Sequence, residues 1–311
     1  MQIITDLADL SKNDNCIITT GTFDGVHLGH QAIIKKLLSI AAQKKACATV
    51  VTFEPHPQFI LNPEREIKLR LLTTQDEKID IFKKLKIDRL IILPFTRTLA
   101  EFSSEEFVEK VLVQKIGFQS IIVGYDHAFG KRRSGNYLVL KDLQEKHNYS
   151  ILQMNPFSVN GAIVSSTKIR KLIASGEVAS AAIFLGRLYR LKGKVIRGEG
   201  RGKKFAIPTA NLSILSDKKL IPQNGIYAGW TLRGNQRVKS MIYIGYKPTF
   251  HYDLLSIEIH LLAFNGNLYD ETMEIEFTQK IRDDITFESA ESLYHQIEKD
   301  KAETLKILSK N

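Results

Sequence analysis

Cysteine is almost missing from this chain. Cys16 and Cys47 are the only two in 311 residues, which leaves a disulfide framework or a zinc site without support. Both fall in predicted strands and read as buried free thiols. No run of about 18 apolar residues occurs, so a membrane-spanning helix is not expected. The first residues, Met1-Gln2-Ile3-Ile4-Thr5-Asp6, lack the basic and apolar regions of a secretory signal. Together these absences predict a cytoplasmic protein with no membrane partner. Internal repeats and low-complexity segments are also missing. So is any basic run interleaved with aromatics of the kind that grips single-stranded nucleic acid.

What is present is ordinary globular material, 43% hydrophobic and 25% charged, long enough for two real cores. The net charge of +10 suits nucleic acid, an anionic surface or phosphorylated substrates. The basic residues are scattered except at Lys131-Arg132-Arg133 and from Arg197 to Lys204, and both clusters adjoin glycines. That favours phosphate pockets over an extended nucleic-acid face.

The most informative stretch is Thr20-Gly21-Thr22-Phe23-Asp24-Gly25-Val26-His27-Leu28-Gly29-His30. The apolar run Cys16 to Thr20 before it reads as a buried strand. Gln31 to Lys45 after it reads as a helix, with Ile33, Ile34, Leu37, Leu38 and Ala41 on one face. A glycine-spaced turn that delivers a strand into a helix N-terminus aims free N–H groups and a positive dipole at an anion. His27 and His30 share the first helical turn and can donate hydrogen bonds to a pentavalent phosphorus. The turn fits neither G-x-x-x-x-G-K-[ST] nor G-x-G-x-x-G, which sets aside a P-loop and a dinucleotide site. Taken alone, H-x-G-H is also met by a glycine turn carrying two surface histidines.

Further strands are predicted at Ala46–Phe53, Asp88–Leu93, Gln119–Val123 and Tyr149–Met154. Thr74-x-x-Glu77 and Ser103-x-x-Glu106 are capping boxes that open helices between them, and Ser134–Lys146 reads as another. Alternation of strand and helix predicts a doubly wound parallel sheet. Ligands of such sheets bind beyond the carboxyl ends of the strands. The turns at 21–30, Glu54-Pro55-His56-Pro57, 124–130 and 165–170 are expected to converge there. Ser165, Ser166 and Thr167 are good N-caps, and Arg170 one turn further on makes a second anion site.

After about Gly186 the helical period gives way to short alternating strands: Arg190–Ile196, Ile226–Leu232, Lys239–Ile244, Ser256–Leu262 and Met273–Phe277. These predict a small antiparallel barrel. A closing helix is expected over Ser289–Leu308, packing through Leu293, Ile297, Leu305 and Leu308. The domain boundary is set at 185/186. Gly198, Gly200 and Gly202 form a basic loop whose N–H groups can wrap phosphates. Thr209 and Asn211 in Pro208-Thr209-Ala210-Asn211 can both ligate Mg²⁺. Alternation in Ile257-Glu258-Ile259-His260-Leu261 puts Glu258 and His260 opposite the isoleucines, where Glu258 could accept a hydroxyl proton.

The early turn resembles the HxGH signature of the nucleotidyltransferase superfamily, and Ser165 to Arg170 resembles its S-S-T-x-I-R motif. With the G-T-F-D-G lead-in, the glycine loop, P-T-A-N and the later glutamate, the chain resembles the prokaryotic bifunctional riboflavin kinase/FAD synthetase family over roughly residues 15 to 300. At least six motifs in family order make coincidence improbable.

The resemblance implies ATP-dependent phosphorylation of riboflavin to FMN in the barrel, with Mg²⁺ on Thr209 and Asn211 and Glu258 as base. It implies adenylylation of FMN to FAD, with release of pyrophosphate, in the first domain, where His27, His30 and Arg170 act on the transferring phosphate. Gly21, Phe23, Asp24, Gly25, Ser165, Ser166, Thr167, Gly198, Gly200 and Gly202 are implied to bind nucleotide or phosphate. Pro55, Pro57, Asp126 and Arg282 are implied to bind flavin. The expected partners are riboflavin, FMN and ATP, with no nucleic acid. Departures from the family pattern fall at His127-Ala128, Ala206-Ile207, Tyr243, Lys247 and Asp284. The rival readings are a single-activity nucleotidyltransferase of the pantetheine-phosphate or cytidylyl type, and a basic nucleic-acid-binding protein.

Overall fold

A computed structural model describes residues 1–64, 69–197, 208–248, 253–264, 266 and 268–310. The chain divides into two compact units, Met1–Ser166 and Thr167–Asn311. The first is built on a six-stranded parallel sheet. Its strands are β1 (Gln2–Ile4), β2 (Cys16–Thr20), β3 (Cys47–Glu54), β4 (Arg89–Pro94), β5 (Ser120–Val123) and β6 (Ser150–Gln153). Their spatial order is β1-β4-β3-β2-β5-β6.

The central strands are apolar on both sides because both sides are covered. Ile17, Val50 and Ile122 face one buried cluster with Ile34 and Leu37 of the helix Leu28–Lys44. Their neighbours Ile18, Val51 and Ile121 face the other, with Phe107, Val111 and Leu112. Those last three lie on Phe107–Ile116, where the helix capped by Ser103 continues in π-helical turns. Both capping boxes form, at Thr74 and Ser103.

Several details differ from expectation. Edge strand β1 pairs with β4 and is too short to show a period. The helix expected from Ser134 begins at Tyr137, because the Asn136 side chain caps it by accepting the Leu138 N–H at 2.8 Å. A hairpin, β7 (Ser158–Val159) with β8 (Ala162–Ile163), precedes the helix Ser166–Ala174. Cys16 and Cys47 are free and stand opposite each other on β2 and β3. Cys16 is buried, whereas Cys47 is half-buried.

The second unit is a closed barrel of order β10-β13-β12-β11-β14-β9. Its strands are β9 (Tyr189–Ile196), β10 (Ala210–Ile214), β11 (Gly225–Arg233), β12 (Gln236–Pro248), β13 (Asp253–Leu261) and β14 (Thr272–Arg282). All pairings are antiparallel. Alternate residues such as Leu212, Ile242, Ile244, Ile257, Ile259 and Ile275 fill the interior.

The closing helix, Ala290–Leu308, packs Ile307 and Leu308 against Ala228 and Trp230. Leu305, expected on that face, is 41% exposed. Asp300 and Thr304 are buried instead. Leu308 is buried and Leu293 and Ile297 are half-buried, as expected, so Leu305 alone departs, and the polar Asp300 joins the buried face through its pairing with Arg282.

Candidate active sites

β2 is the strand from which the first sheet grows in both directions. β3 and β4 lie to one side, β5 and β6 to the other. The crevice of such a sheet opens beyond the carboxyl end of the strand where the order reverses, and the Gly21–His30 turn occupies that end. The turn is conformationally unusual: Phe23, Gly25 and Val26 have φ of 47°, 83° and 36°. A non-glycine residue in the left-handed region costs about 1–2 kcal/mol. Burial offsets this, since Phe23 and Val26 are 2% and 0% exposed and sit in the core beneath the turn.

Asp24 is also buried, and its carboxylate accepts the backbone N–H groups of Leu72 and Thr73, each at 3.0 Å. The Gly25 N–H is donated to Thr73 Oγ1 at 2.9 Å, and Ser166 Oγ donates to the Asp24 carbonyl at 2.9 Å. The side chains of Phe23 and Asp24 therefore build the turn, and a ligand would meet mainly its backbone.

His27 is the N-cap of the helix Leu28–Lys44. Its Nδ1 accepts the His30 N–H at 3.3 Å, which puts the proton of the neutral ring on Nε2. The two imidazoles are stacked, 3.6 Å between centroids and 14° from parallel. His30 meets Phe23 edge-on at 5.1 Å. Gly29 explains the spacing of the motif, because a Cβ there would lie 3.3 Å from the His27 ring. Two donors with fixed orientation at a helix N-terminus can stabilise charge on a transferring phosphoryl group.

Gly21 opens the turn and gives its N–H to the Val51 carbonyl at 3.1 Å. Pro55 follows a cis peptide bond at the end of β3, and Pro57 is the first residue of the helix Pro57–Leu61, capped by His56. Asp126 is exposed on the turn after β5. Ser165 is half-buried and Thr167 exposed. Arg170 is half-buried on the helix Ser166–Ala174, beside the buried Ile169 and Ile173.

Lys78 belongs to no motif of the sequence, yet it stands beside the turn. It is buried, and its nitrogen lies 3.4 Å from the Thr22 carbonyl. Burial pulls its pKa down, against the nearby charges of Glu54 and Asp24. The available signal was its place one turn before the buried Phe82 in the helix Gln75–Leu85.

In the barrel, β10 and β13 pair Asn211 with Glu258, and opposite residues share a face. His260, two residues along β13, falls on the same outer face as Glu258, and Thr209, just before β10, reaches that face too. Thr209 Oγ1 donates to Glu258 Oε2 at 3.0 Å, and Ser256 Oγ donates to Oε1 at 3.4 Å. A hydroxyl and a carboxylate meet here, and strand register puts the Asn211 amide on the same face. That is the donor set of a hard divalent cation that keeps most of its waters.

Tyr243 stands opposite Glu258 in β12 and donates to Asp284 Oδ2 at 3.0 Å. Burial, then Asp284, raises its pKa. Gly245 makes room for its ring, since a Cβ there would collide with the phenol. The two departures, Tyr243 and Asp284, are therefore partners.

Arg282 grips Asp300 of the closing helix through Nε at 3.0 Å and a second nitrogen at 2.8 Å. It also donates to the Asp283 carbonyl at 2.9 Å. Gly198, Gly200 and Gly202, with Ala206-Ile207, lie outside the described residues, as does the side chain of Lys247.

The first unit thus presents an HxGH cradle at the switch point of a parallel sheet, and the second a hydroxyl–amide–carboxylate cluster on an antiparallel barrel. The pairing defines a two-part transferase acting on phosphates. Comparison with known proteins gives the particular kind. The family model for FAD synthetase matches residues 9–168, and that for riboflavin kinase matches residues 185–308.

The bifunctional riboflavin kinase/FMN adenylyltransferase of Buchnera aphidicola from Schizaphis graminum is 34% identical, covering 96% of both chains. That of Listeria monocytogenes is 35% identical over 95% of this chain and 93% of its own. A crystal structure described as a macrolide-efflux protein from Streptococcus pneumoniae shares the fold, with a TM-score of 0.89 at 26% identity. It covers 98% of this chain and 99% of its own.

The chain belongs to the bifunctional riboflavin kinase/FMN adenylyltransferase family. Its activities are riboflavin kinase and FMN adenylyltransferase, with ATP as co-substrate. The single-activity alternative gives way to the match over 185–308. Among the described residues no helix is long and apolar enough to cross a membrane.

Proposed function

We propose that the two reactions divide between the two halves of the chain, with the functional boundary at 185/186. In the barrel, a ribityl hydroxyl of riboflavin attacks the γ-phosphorus of ATP. The new O–P bond forms as the bond to the β-phosphate bridge breaks, and ADP leaves. Glu258 accepts the hydroxyl proton. Thr209 and Asn211 would hold Mg²⁺, which when bound supplies positive charge to the phosphate oxygens. Gly198, Gly200 and Gly202 wrap the phosphates, and Arg282 borders the flavin.

In the first half, a phosphate oxygen of FMN attacks the α-phosphorus of ATP and pyrophosphate leaves. Nε2–H of His27, together with His30 and Arg170, stabilises the charge that builds up on the α-phosphate. Gly21, Phe23, Asp24 and Gly25 shape the nucleotide side, with Ser165, Ser166 and Thr167 supplying the second helix N-terminus. Pro55, Pro57 and Asp126 border the flavin. The Ser165–Arg170 motif straddles the division between the two compact units, which falls after Ser166. The setting is cytoplasmic, consistent with ATP as co-substrate and two free thiols.

One observation carries the reading. Thr209, Asn211 and Glu258 meet on one outer face of a barrel, in a chain whose other unit presents two stacked imidazoles at a helix N-terminus. Separating FMN from FAD after incubation with riboflavin, ATP and Mg²⁺ tests it. His30→Ala should abolish FAD formation and spare FMN formation, and Glu258→Ala should do the reverse when FMN is supplied. Equal loss of both steps in either variant would refute the division.

A further inference from the structure

Pro208 stands just before the metal-binding pair, and its backbone is awkward to hold. Proline has no N–H, so it cannot donate to a strand ladder. The pairing of β10 with β13 begins only at Ala210, opposite Ile259. The one backbone group Pro208 can offer is its carbonyl, and His260 takes it, with Nδ1 at 2.9 Å. A carbonyl oxygen only accepts, so Nδ1 carries the proton and the ring orientation is fixed.

His260 is 9% exposed and stands opposite Met241 in β12, itself largely buried at 8%. The imidazole is therefore wedged rather than free to swing. On the same face of β13, Ser256 donates to Glu258, and Glu258 receives Thr209. Side chains at 258 and 260 thus continue, toward Thr209 and Pro208, the ladder that the backbone pairing leaves off.

We propose that His260 is a positioning residue for riboflavin phosphorylation. By holding the Pro208 carbonyl it sets where the Thr209 hydroxyl and the Asn211 amide meet Glu258, and so tunes the grip on the divalent cation. This rests on the reading of the barrel as the kinase half. His260 itself touches neither metal nor substrate. Groups that orient metal ligands from behind change metal affinity or activity about 10–100-fold when removed.

The test uses the full chain and three variants, His260→Ala, His260→Asn and His260→Gln. The amide nitrogen of asparagine can reach the position of Nδ1, whereas that of glutamine extends one bond too far. Binding of Mn²⁺ in the presence of ADP, followed by the loss of the free Mn²⁺ electron-spin signal, reads the cation grip without turnover. FMN formation is measured against Mg²⁺, and FAD formation from added FMN serves as the control for the other half.

The expected result is a Mn²⁺ affinity and an apparent Mg²⁺ affinity at least about tenfold weaker in H260A. H260N should recover most of that and H260Q little, with FAD formation from FMN unchanged in all three. Wild-type Mn²⁺ binding in H260A overturns the inference, as does equal impairment of H260A and H260N. A wild-type chain that makes no FMN would sink the kinase reading and this inference with it. A wild type that makes FMN, alongside an H260A variant equal to it, sinks the inference alone.

Discussion

Gly29→Ala separates stability from catalysis, because the first should barely move while the second falls. The added methyl lies 3.3 Å from Cε1 and Nδ1 of His27. That is tighter than a relaxed contact, so the ring must give by a few tenths of an ångström. It has little room to do so gently: one face is stacked on His30 at 3.6 Å, and Nδ1 is already at 3.3 Å from the N–H it caps.

Alanine is the better helix former by up to about 1 kcal/mol, while weakening a cap costs about 0.5–2 kcal/mol. The net change in stability should therefore be within about 1 kcal/mol of zero. Catalysis has no such compensation. A misplacement of 1 Å costs about 10²-fold, so a few tenths should lower kcat for FAD formation by about 3- to 10-fold. FMN formation should not change. The assay pairs FMN adenylylation at saturating FMN and ATP with a urea midpoint. Wild-type kcat in a folded G29A variant would refute the argument that Gly29 exists to admit the His27 ring.

Asp300→Ala removes the partner of Arg282 from a pair whose side chains are 3% and 18% exposed. It should cost about 3 kcal/mol, seen as a lower urea midpoint, and should raise KM for riboflavin if the held guanidinium borders the flavin. Tyr149, buried and donating to the Leu140 carbonyl at 2.6 Å, has its pKa pushed up by burial from 10.0 to about 12. The stability this provides is fully present below pH 10 and is lost as pH rises toward 12, amounting to about 2–3 kcal/mol. Tyr149→Phe should flatten that alkaline loss in denaturation series at pH 8 and pH 11.5.

Much of this was legible because it is local. The strand Cys16–Thr20, the two capping boxes and the helix after His30 each announce themselves within a few residues. What escaped depends on partners distant in sequence. Lys78 looks like a surface lysine until the fold brings Thr22, Asp24 and Glu54 around it. Asp300 looks like a solvated helical position until Arg282 arrives from β14. Leu305 looks like core by its apolar spacing, yet it is 41% exposed. Pro208 to Asn211 is also met by a turn with an Asn cap, whereas Asn211 lies in β10 opposite Glu258. Only strand register could decide that, and a single chain does not print its register.

The two sites also differ in what they ask of the fold. In the first unit the motif side chains serve the core and the turn before they serve a ligand. Phe23 and Val26 are buried in left-handed conformations, and Asp24 is spent on the N–H groups of Leu72 and Thr73. Changing any of them removes packing or leaves buried donors unsatisfied, which costs about 1–3 kcal/mol per group. In the barrel, Thr209, Asn211 and Glu258 are half-buried on the outer face, while the interior is filled by residues of the opposite parity. Substitution there leaves the core intact. The same loss of activity therefore has different origins in the two halves: a failed turn in one, a missing functional group in the other. That asymmetry makes His30, half-buried on the turn, a cleaner probe of adenylyl transfer than Phe23 or Asp24, whereas His27 also caps the helix.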